Sequence, residues 1–516
     1  MVKKYSRTKN SIFNIITGFG GQIIYAALNF VCRTVFIKTL GAEYLGINGL
    51  FSDILSLFSL AELGFDTAIS FRLYKPIAEN DEVKIRQYVK MFRNVYKVVG
   101  LVIVCCGLTM VPFLRIFIKD YDKLSGLGIN ATFIFILFLT QNASSYLFLA
   151  YRSIVITAHQ KQYLLSVAGY VINLVNSIVK VLVLIFTHSF IAYIITITAQ
   201  IILQSLINAA IATKAYPQYF IKEKTKLSKE EKVELYKDCG ALLVYKINNV
   251  VIKATDNLVL SSFVGLTIVG LYSNYLMLFN AIHGVLHIMF RSVKASMGDL
   301  FASDEIEKKH SFFEIMNFIT ILLYGTAAVG IAITSNELID CWIGDKYVVP
   351  QPLPMLIGLE LLFTGLKLNL AQIRNVSGVF KQMWYRPVIG SIINVVSSII
   401  LVQYWGISGV ITGTVLAAIF ANFMVDPRVI YKYSFQGVKP VKRYYSKNIL
   451  FIIILMLICA VDFVICENLV TGYGIISLAI HMLICAVSVP ATFVLIFWKT
   501  HECVYIRQKV RSIIRI

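Results

Sequence analysis

Apolar runs of about twenty residues, the length that crosses a bilayer, recur along this chain with short polar breaks between them. They lie near 11–37, 46–71, 97–118, 128–151, 163–187, 189–213, 238–263, 267–292, 311–335, 351–373, 385–404, 406–427, 448–466 and 473–498. No loop between these fourteen spans is long enough to fold as a separate domain. In hydrocarbon every backbone N–H and C=O must be satisfied within the segment, so runs of this length are helices. The expected fold is an all-α polytopic membrane protein of about fourteen transmembrane helices.

Three polar segments between spans read as amphipathic helices. In 80–97, Ile85, Tyr88, Val89, Phe92 and Tyr96 share one face and Lys84, Arg86, Lys90 and Arg93 lie elsewhere, the pattern of a helix resting on headgroups. Ser228-Lys-Glu-Glu231 is a capping box leading toward span 7. Val504–Ile516 is a short basic amphipathic tail.

Composition supports a lipid solvent. Of 516 residues, 58% are hydrophobic and 15% charged, and mean hydropathy is +0.74. Soluble domains are roughly 45–50% apolar and about 25% charged, so a soluble enzyme and a disordered chain are both excluded. The net charge of +20 suggests nucleic acid in a soluble protein, but here its distribution gives topology instead. With Met1 placed in the cytoplasm and alternate loops inside, roughly 38 of the 48 Lys and Arg fall on inner segments and about five on outer ones. Both termini are therefore expected in the cytoplasm, with the basic loops meeting anionic headgroups and no nucleic-acid partner. The nine cysteines form no CxxC pair and read as small buried hydrophobes.

An internal repeat orders the spans. Leu40-Gly41-Ala-Glu-Tyr-Leu-Gly46 after span 1 parallels Val264-Gly265-Leu-Thr-Ile-Val-Gly270 after span 7. Gly169-Tyr-Val-Ile-Asn173 in span 5 parallels Gly390-Ser-Ile-Ile-Asn394 in span 11. The offsets, about 224 and 221 residues, agree on one period. Six spans per repeat is an even number, so the halves share an orientation, as in transporters that rock two lobes about a central site. The expected organisation is an N-lobe over 1–214, a cytoplasmic linker over 215–237, a C-lobe over 238–433, two further spans over 445–500 and a basic cytoplasmic tail over 501–516.

Polar side chains inside a membrane are costly, at about 2.5–3.5 kcal/mol for a central Arg, Lys or Asp, and generally face a cavity. Several spans gather them on one stripe. Span 1 carries Gly18, Gln22, Tyr25, Asn29 and Arg33; span 2 carries Ser52, Ser56, Ser59, Glu62 and Asp66; span 4 carries Gln141, Ser145 and Arg152. Span 7 carries Lys246, Asn249, Lys253 and Asp256; span 8 carries Asn280, His283, His287 and Arg291; span 10 carries Glu360, Thr364, Lys367 and Arg374. Ser and Asn stripes also serve as interhelical glue, but Arg33, Lys246, Lys253 and Asp256 are too many charges for that role. His283 and His287 lack a third ligand and an HExxH context, so hydrogen bonding within a cavity is expected rather than a metal.

There is no GxxxxGK[ST] loop, GxGxxG or GxSxG, so neither a built-in ATPase nor a common enzyme is expected, and a secondary carrier fits best. The run Arg33-Thr-Val-Phe-Ile-Lys-Thr-Leu-Gly-Ala-Glu-Tyr-Leu-Gly46, with Asn48-Gly-Leu-Phe51, Leu60-Ala-Glu-Leu-Gly-Phe-Asp66 and Leu73-Tyr-Lys-Pro76, resembles the bacterial polysaccharide-transporter branch of the multidrug/oligosaccharidyl-lipid/polysaccharide (MOP) exporter superfamily. Thr255-Asp-Asn-Leu-Val-Leu-Ser261 and Gly270-Leu-Tyr-Ser-Asn-Tyr275 resemble its second-lobe counterpart.

The resemblance implies a flippase in the bacterial cytoplasmic membrane. Such proteins carry undecaprenyl-pyrophosphate-linked oligosaccharide repeat units to the outer leaflet for capsule or O-antigen-like polymers. Their partners are that polyprenyl-pyrophosphate oligosaccharide, membrane lipids and the polysaccharide polymerase and assembly proteins. No cofactor is implied beyond a coupling Na+ or H+. In the related lipid II flippases the two extra spans form a groove for the lipid tail, and central basic residues meet the pyrophosphate. Arg33, Lys246, Lys253, Arg291 and Lys367 are the candidates here for the pyrophosphate. Gln22, Asn29, Glu62, Asp66, Asn249, Asp256, Asn280, His283, His287 and Glu360 are candidates for the cavity wall and ion coupling. The alternatives are a cation-coupled multidrug exporter or a lipid II flippase of the same superfamily, and, in a different class, a non-transporting scaffold for polysaccharide assembly.

Overall fold

The structure, a computed structural model, describes residues 27–58, 65–119, 121, 130–221, 227–235, 254–302, 305–377, 379, 381–383, 385–437, 439–469 and 474–514. Helix occupies each of the fourteen expected span positions, and no strand occurs among the described residues. Among the described residues, nine helices are long and apolar enough to cross a membrane by length and composition, one of them, 386–433, covering spans 11 and 12. The chain divides into two compact units, 1–270 and 271–516.

In the first unit the repeated Gly-x4-Gly motif has a physical explanation. Gly41 and Gly265 sit at φ +92° and +127°, a region costly for residues with a Cβ, and each turns the chain from one helix into the next. The second glycine of each motif permits contact. A Cβ on Gly46 would stand 2.0 Å from the Leu266 carbonyl oxygen, and one on Gly270 would stand 2.0 Å from that of Ala42. Ala42 and Leu266 are themselves one repeat apart, so the helices beginning at these residues cross reciprocally, backbone against backbone. Glu43 and its repeat mate Thr267 hydrogen-bond across the crossing at 3.3 Å.

Span 2 is helical over Ala42–Phe58 and over Phe65–Glu79, and 59–64 lie outside the described residues. One segment differs from expectation. The helix expected to rest on headgroups is continuous with span 3, from Glu82 through Met110 and by a short 3-10 turn at Pro112 to Phe117. Asp81 caps its start by accepting from the Lys84 amide. Its apolar face is the expected one, but protein covers it: Ile85, Tyr88, Val89, Phe92 and Tyr96 are all buried. An amphipathic pattern records a buried stripe and does not distinguish lipid from protein as the cover. The capping box forms as read, with Ser228 N donating to Glu231 Oε2 at 3.1 Å and Glu231 N to Ser228 Oγ at 3.2 Å. The helix it opens is tied to its neighbours by Lys84–Glu231 and by Arg72–Glu234 at 2.8 Å.

In the second unit, spans 11 and 12 form a tight antiparallel hairpin. The helix from Arg386 breaks at Gly406, whose φ of 54° and ψ of −130° are not helical. Across the hairpin, Ser398 Oγ donates to the Val410 carbonyl at 3.2 Å and Asn394 Nδ2 to Thr414 Oγ1 at 2.9 Å. Exposed Tyr404 and Trp405 mark its tip, as aromatic residues do at a membrane interface. Span 9 extends over Ile306–Ile343 and packs on span 10, Leu353–Ser377, and on span 14, Ile475–Ile496. The tail is helical over His501–Ile514 and tied down by the Lys447–Glu502 pair.

Candidate functional site

In the first unit Arg33 is half-buried on span 1 and lies in the electrostatic field of Tyr193 on span 6. Its neighbours Cys32 and Phe36 face the same way: Cys32 approaches the Ser177 carbonyl of span 5 at 3.6 Å, and Phe36 packs edge-on against Phe190 and Tyr193. Asn29, one turn away, is half-buried, and Asp256 is 7% exposed. Gln22, Glu62, Lys246, Asn249 and Lys253 lie outside the described residues. Asp66 is described as helix only.

The repeat period relates the two stripes read from the sequence. An offset of 224 pairs Gln22 with Lys246, Tyr25 with Asn249, Asn29 with Lys253 and Arg33 with Asn257. Asn257 is 7% exposed and donates to Asp53 of span 2.

Sequence reading passed over Lys180. It is the sole charged residue of Gln162–Thr187, half-buried beside Cys32, and makes no hydrogen bond or ion pair among the described residues. Lys180 and Arg33 each lie seven residues, about 10 Å, from the same end of their helices. Asn173 and Asn176, lower on the same helix, join Gln200 of span 6. The repeat mates Asn173 and Asn394 thus both bond to the partner helix of a hairpin, which is the glue role of an intramembrane amide.

In the second unit His283 and His287 are neighbours, ring centroids 5.7 Å apart, and His283 Nδ1 lies 3.1 Å from the Tyr324 hydroxyl of span 9. Asn280 is exposed; Glu360 and Lys367 are half-buried on span 10. Arg291 is described as helix only. A charged group unforeseen in sequence lies at the ends of spans 11 and 12. Arg386, 4% exposed, pairs at 3.1 Å with Asp426, 1% exposed, and also donates to Asn422. Asn422 projects from a π-helical stretch, Ala418–Phe423. Asp426 also feels the positive charges of Arg374 and Lys367. Neither Arg386 nor Asp426 belongs to a polar stripe at helical spacing, so no sequence signal marks them.

Spans 13 and 14 enclose a groove of about 420 Å³, walled mainly by Ile454, Leu457, Ile458, Val461, Ile465 and Ile496. Asp462, 2% exposed, opens onto it and accepts from Ser488 at 2.5 Å.

Outside the spans, Glu231, Tyr216 and His159 have shifted acidities. Lys84's hydrogen bond, against partial burial and with help from Ser228, holds the Glu231 carboxyl below the usual carboxylate range. Burial pushes Tyr216 up to about 12 and lowers His159, on which Tyr216 stacks at 4.0 Å. Next to this stack, Arg152 donates to Thr213 at 2.7 Å and lies over the Phe220 ring. Arg152 is thereby engaged in packing rather than left open.

Helix at the fourteen expected positions, many of them long and apolar enough to cross a membrane, defines a multi-pass membrane protein. A family model described as polysaccharide biosynthesis protein matches residues 11–294, more than half the chain, and the chain belongs to that family. No curated protein matches it. Among solved structures it is similar to a lipid II flippase, MurJ, in an inward closed conformation, at 15% identity and a TM-score of 0.64, covering 93% of this chain and 99% of that one. It is also similar to multidrug resistance MATE family transporters of the MOP superfamily, both at 14% identity. The inward-facing one has a TM-score of 0.59, with 83% of this chain and 100% of that one covered. The outward-facing one has 0.54, with 84% and 98% covered.

Proposed function

We propose that this protein flips undecaprenyl-pyrophosphate-linked oligosaccharide repeat units from the cytoplasmic to the outer leaflet of a bacterial cytoplasmic membrane, for a capsule- or O-antigen-like polymer. The family match over residues 11–294 carries this reading. A pyrophosphate–sugar headgroup does not cross hydrocarbon unaided. Arg33, Lys246, Lys253, Arg291 and Lys367 supply positive charge for it inside the membrane, Arg by a fork that matches phosphate and Lys as a point charge. Lys180 joins this set. Gln22, Asn29, Glu62, Asp66, Asn249, Asp256, Asn280, His283, His287 and Glu360 line the path. The polyprenyl tail rests in the groove between spans 13 and 14, whose walls are mainly aliphatic. On the positive-inside reading both termini are cytoplasmic, and rocking of two six-span lobes alternates access.

The groove favours this reading over a multidrug exporter. The lipid II flippase matches 93% of this chain and the MATE transporters 83–84%, with those transporters themselves covered almost end to end. A soluble cationic drug has no need of a tail groove or of central lysines. The test is the lipid extract of a strain lacking the gene. A polyprenyl-pyrophosphate oligosaccharide should accumulate there; an unchanged lipid profile, with polymer production intact, would refute the assignment.

A further inference from the structure

We propose that Glu337 and His481 form a one-proton site in the second unit, through which the flippase couples headgroup export to proton entry. Use of the site in transport rests on the flippase reading; the site's chemistry does not.

Glu337 lies on span 9 and His481 on span 14. His481 Nδ1 and Glu337 Oε2 are 2.6 Å apart, and His481 is 9% exposed. A carboxylate only accepts, so Nδ1–H is the donor and the lone pair stays on Nε2. Nε2 is buried and has no hydrogen-bond partner among the described residues. Ser477, one turn nearer the start of the same helix, has a buried hydroxyl in the same condition. An unsatisfied buried acceptor costs about 1–3 kcal/mol. Two of them, four residues apart on one helix, mark a place where water and a proton belong.

The charge arithmetic is simple. With a neutral imidazole the pair carries −1. A proton delivered from hydronium to Nε2 releases one water and leaves imidazolium against carboxylate, net zero. A neutral pair is far cheaper to keep or move within hydrocarbon than a net charge. Proton loading therefore decides when this part of the unit can change its surroundings.

The position suits entry from one side. Glu337 is six residues from Ile343, and His481 six from Ile475, about 9 Å along each helix. On the positive-inside reading both ends face outward. Asp340 on span 9 and Glu467 on span 13 are exposed near that end and raise the local proton concentration. Cys466 of span 13, next to Glu467, lies in the field of both Asp462 and Glu337; further inward, Cys485 of span 14 lies in that of Asp462. Spans 9, 13 and 14 thus bring together Glu337, His481, Cys466, Cys485 and Asp462, and an intramembrane His and carboxylate series is the form proton relays take.

The test has two arms. In full-length protein labelled with 15N-histidine in nanodiscs, the resonance lost in His481→Gln should pass reversibly from neutral to protonated imidazole on acidification. Glu337→Gln, which removes the carboxylate partner, should change the pH dependence of that passage. An imidazole fixed in one state at every pH would overturn the proposal, and this arm requires no transport. In proteoliposomes, a proton gradient should speed wild-type headgroup flipping several-fold, while Glu337→Gln and His481→Gln keep downhill flipping and lose the response. Variants that respond like wild type would overturn the coupling and leave the flippase reading intact. A wild type that titrates but flips no lipid-linked sugar would defeat the flippase reading and leave the proton site standing.

Discussion

Arg33 shows how a single intramembrane cation is held. Cys32 and Phe36 fix the helix against spans 5 and 6, so the guanidinium is positioned by its neighbours' packing rather than by its own flexibility. Arg33→Ala should abolish flipping at near-normal levels of inserted protein, and Arg33→Lys should restore only part, because lysine keeps the charge and loses the fork. Flipping rates normalised to membrane-inserted protein check this. Arg386 and Asp426 behave differently. Removing one partner of a buried pair costs about 3–5 kcal/mol, but Asp426 retains Arg374 and Lys367 when Arg386 is lost, whereas loss of Asp426 leaves cations facing one another. Asp426→Ala should therefore lower the thermal midpoint more than Arg386→Ala in detergent-stable protein. Stripe counting found Arg33 because its polar neighbours recur at helical spacing. It missed Asp426, whose partner comes from another helix, and Lys180, whose helix is otherwise apolar.

At the scale of elements, backbone contact explains what periodicity left open. The repeated glycines were legible as a motif, but their division of labour, one for the turn and one for the crossing, required coordinates. Gly46→Ala and Gly270→Ala should each destabilise by about 1–3 kcal/mol or more, as overpacking does, read as a fall in thermal midpoint. The segment opened by Ser228 carries a pH dependence. Its Glu231 carboxyl is held below the value of the unfolded chain, so its contribution is full above the unfolded value and is lost as pH falls through the folded one. Hydrogen-exchange protection factors over 229–235, corrected for the intrinsic pH dependence of exchange, should fall on acidification across that window, and Glu231→Gln should remove the dependence. In span 14's neighbourhood, Val461 lines the groove and is 57% exposed. Val461→Trp fits without strain on the core and should slow transport of the polyprenyl-linked substrate several-fold while leaving protein level unchanged, as measured in reconstituted vesicles.

For the whole molecule, hydrophobic run length alone indicated an all-helical membrane chain, because lipid leaves the backbone no other choice. The repeat was legible for a related reason: two copies of one turn keep the same glycines. The cover over Ile85, Tyr88 and Phe92 was not legible, since an apolar stripe looks the same whether protein or headgroups meet it. Nor was the Glu337–His481 pair, whose members are 144 residues apart and carry no spacing signal. The central claim is transport of a lipid-linked glycan, and its most direct measurement is flipping in proteoliposomes containing only this protein. Polyprenyl-pyrophosphate oligosaccharide, labelled in its sugar and placed in one leaflet, should become accessible to a sugar-modifying reagent on the other side. Arg33→Ala vesicles should remain protected. Protection in wild-type vesicles equal to that in protein-free ones would contradict the account.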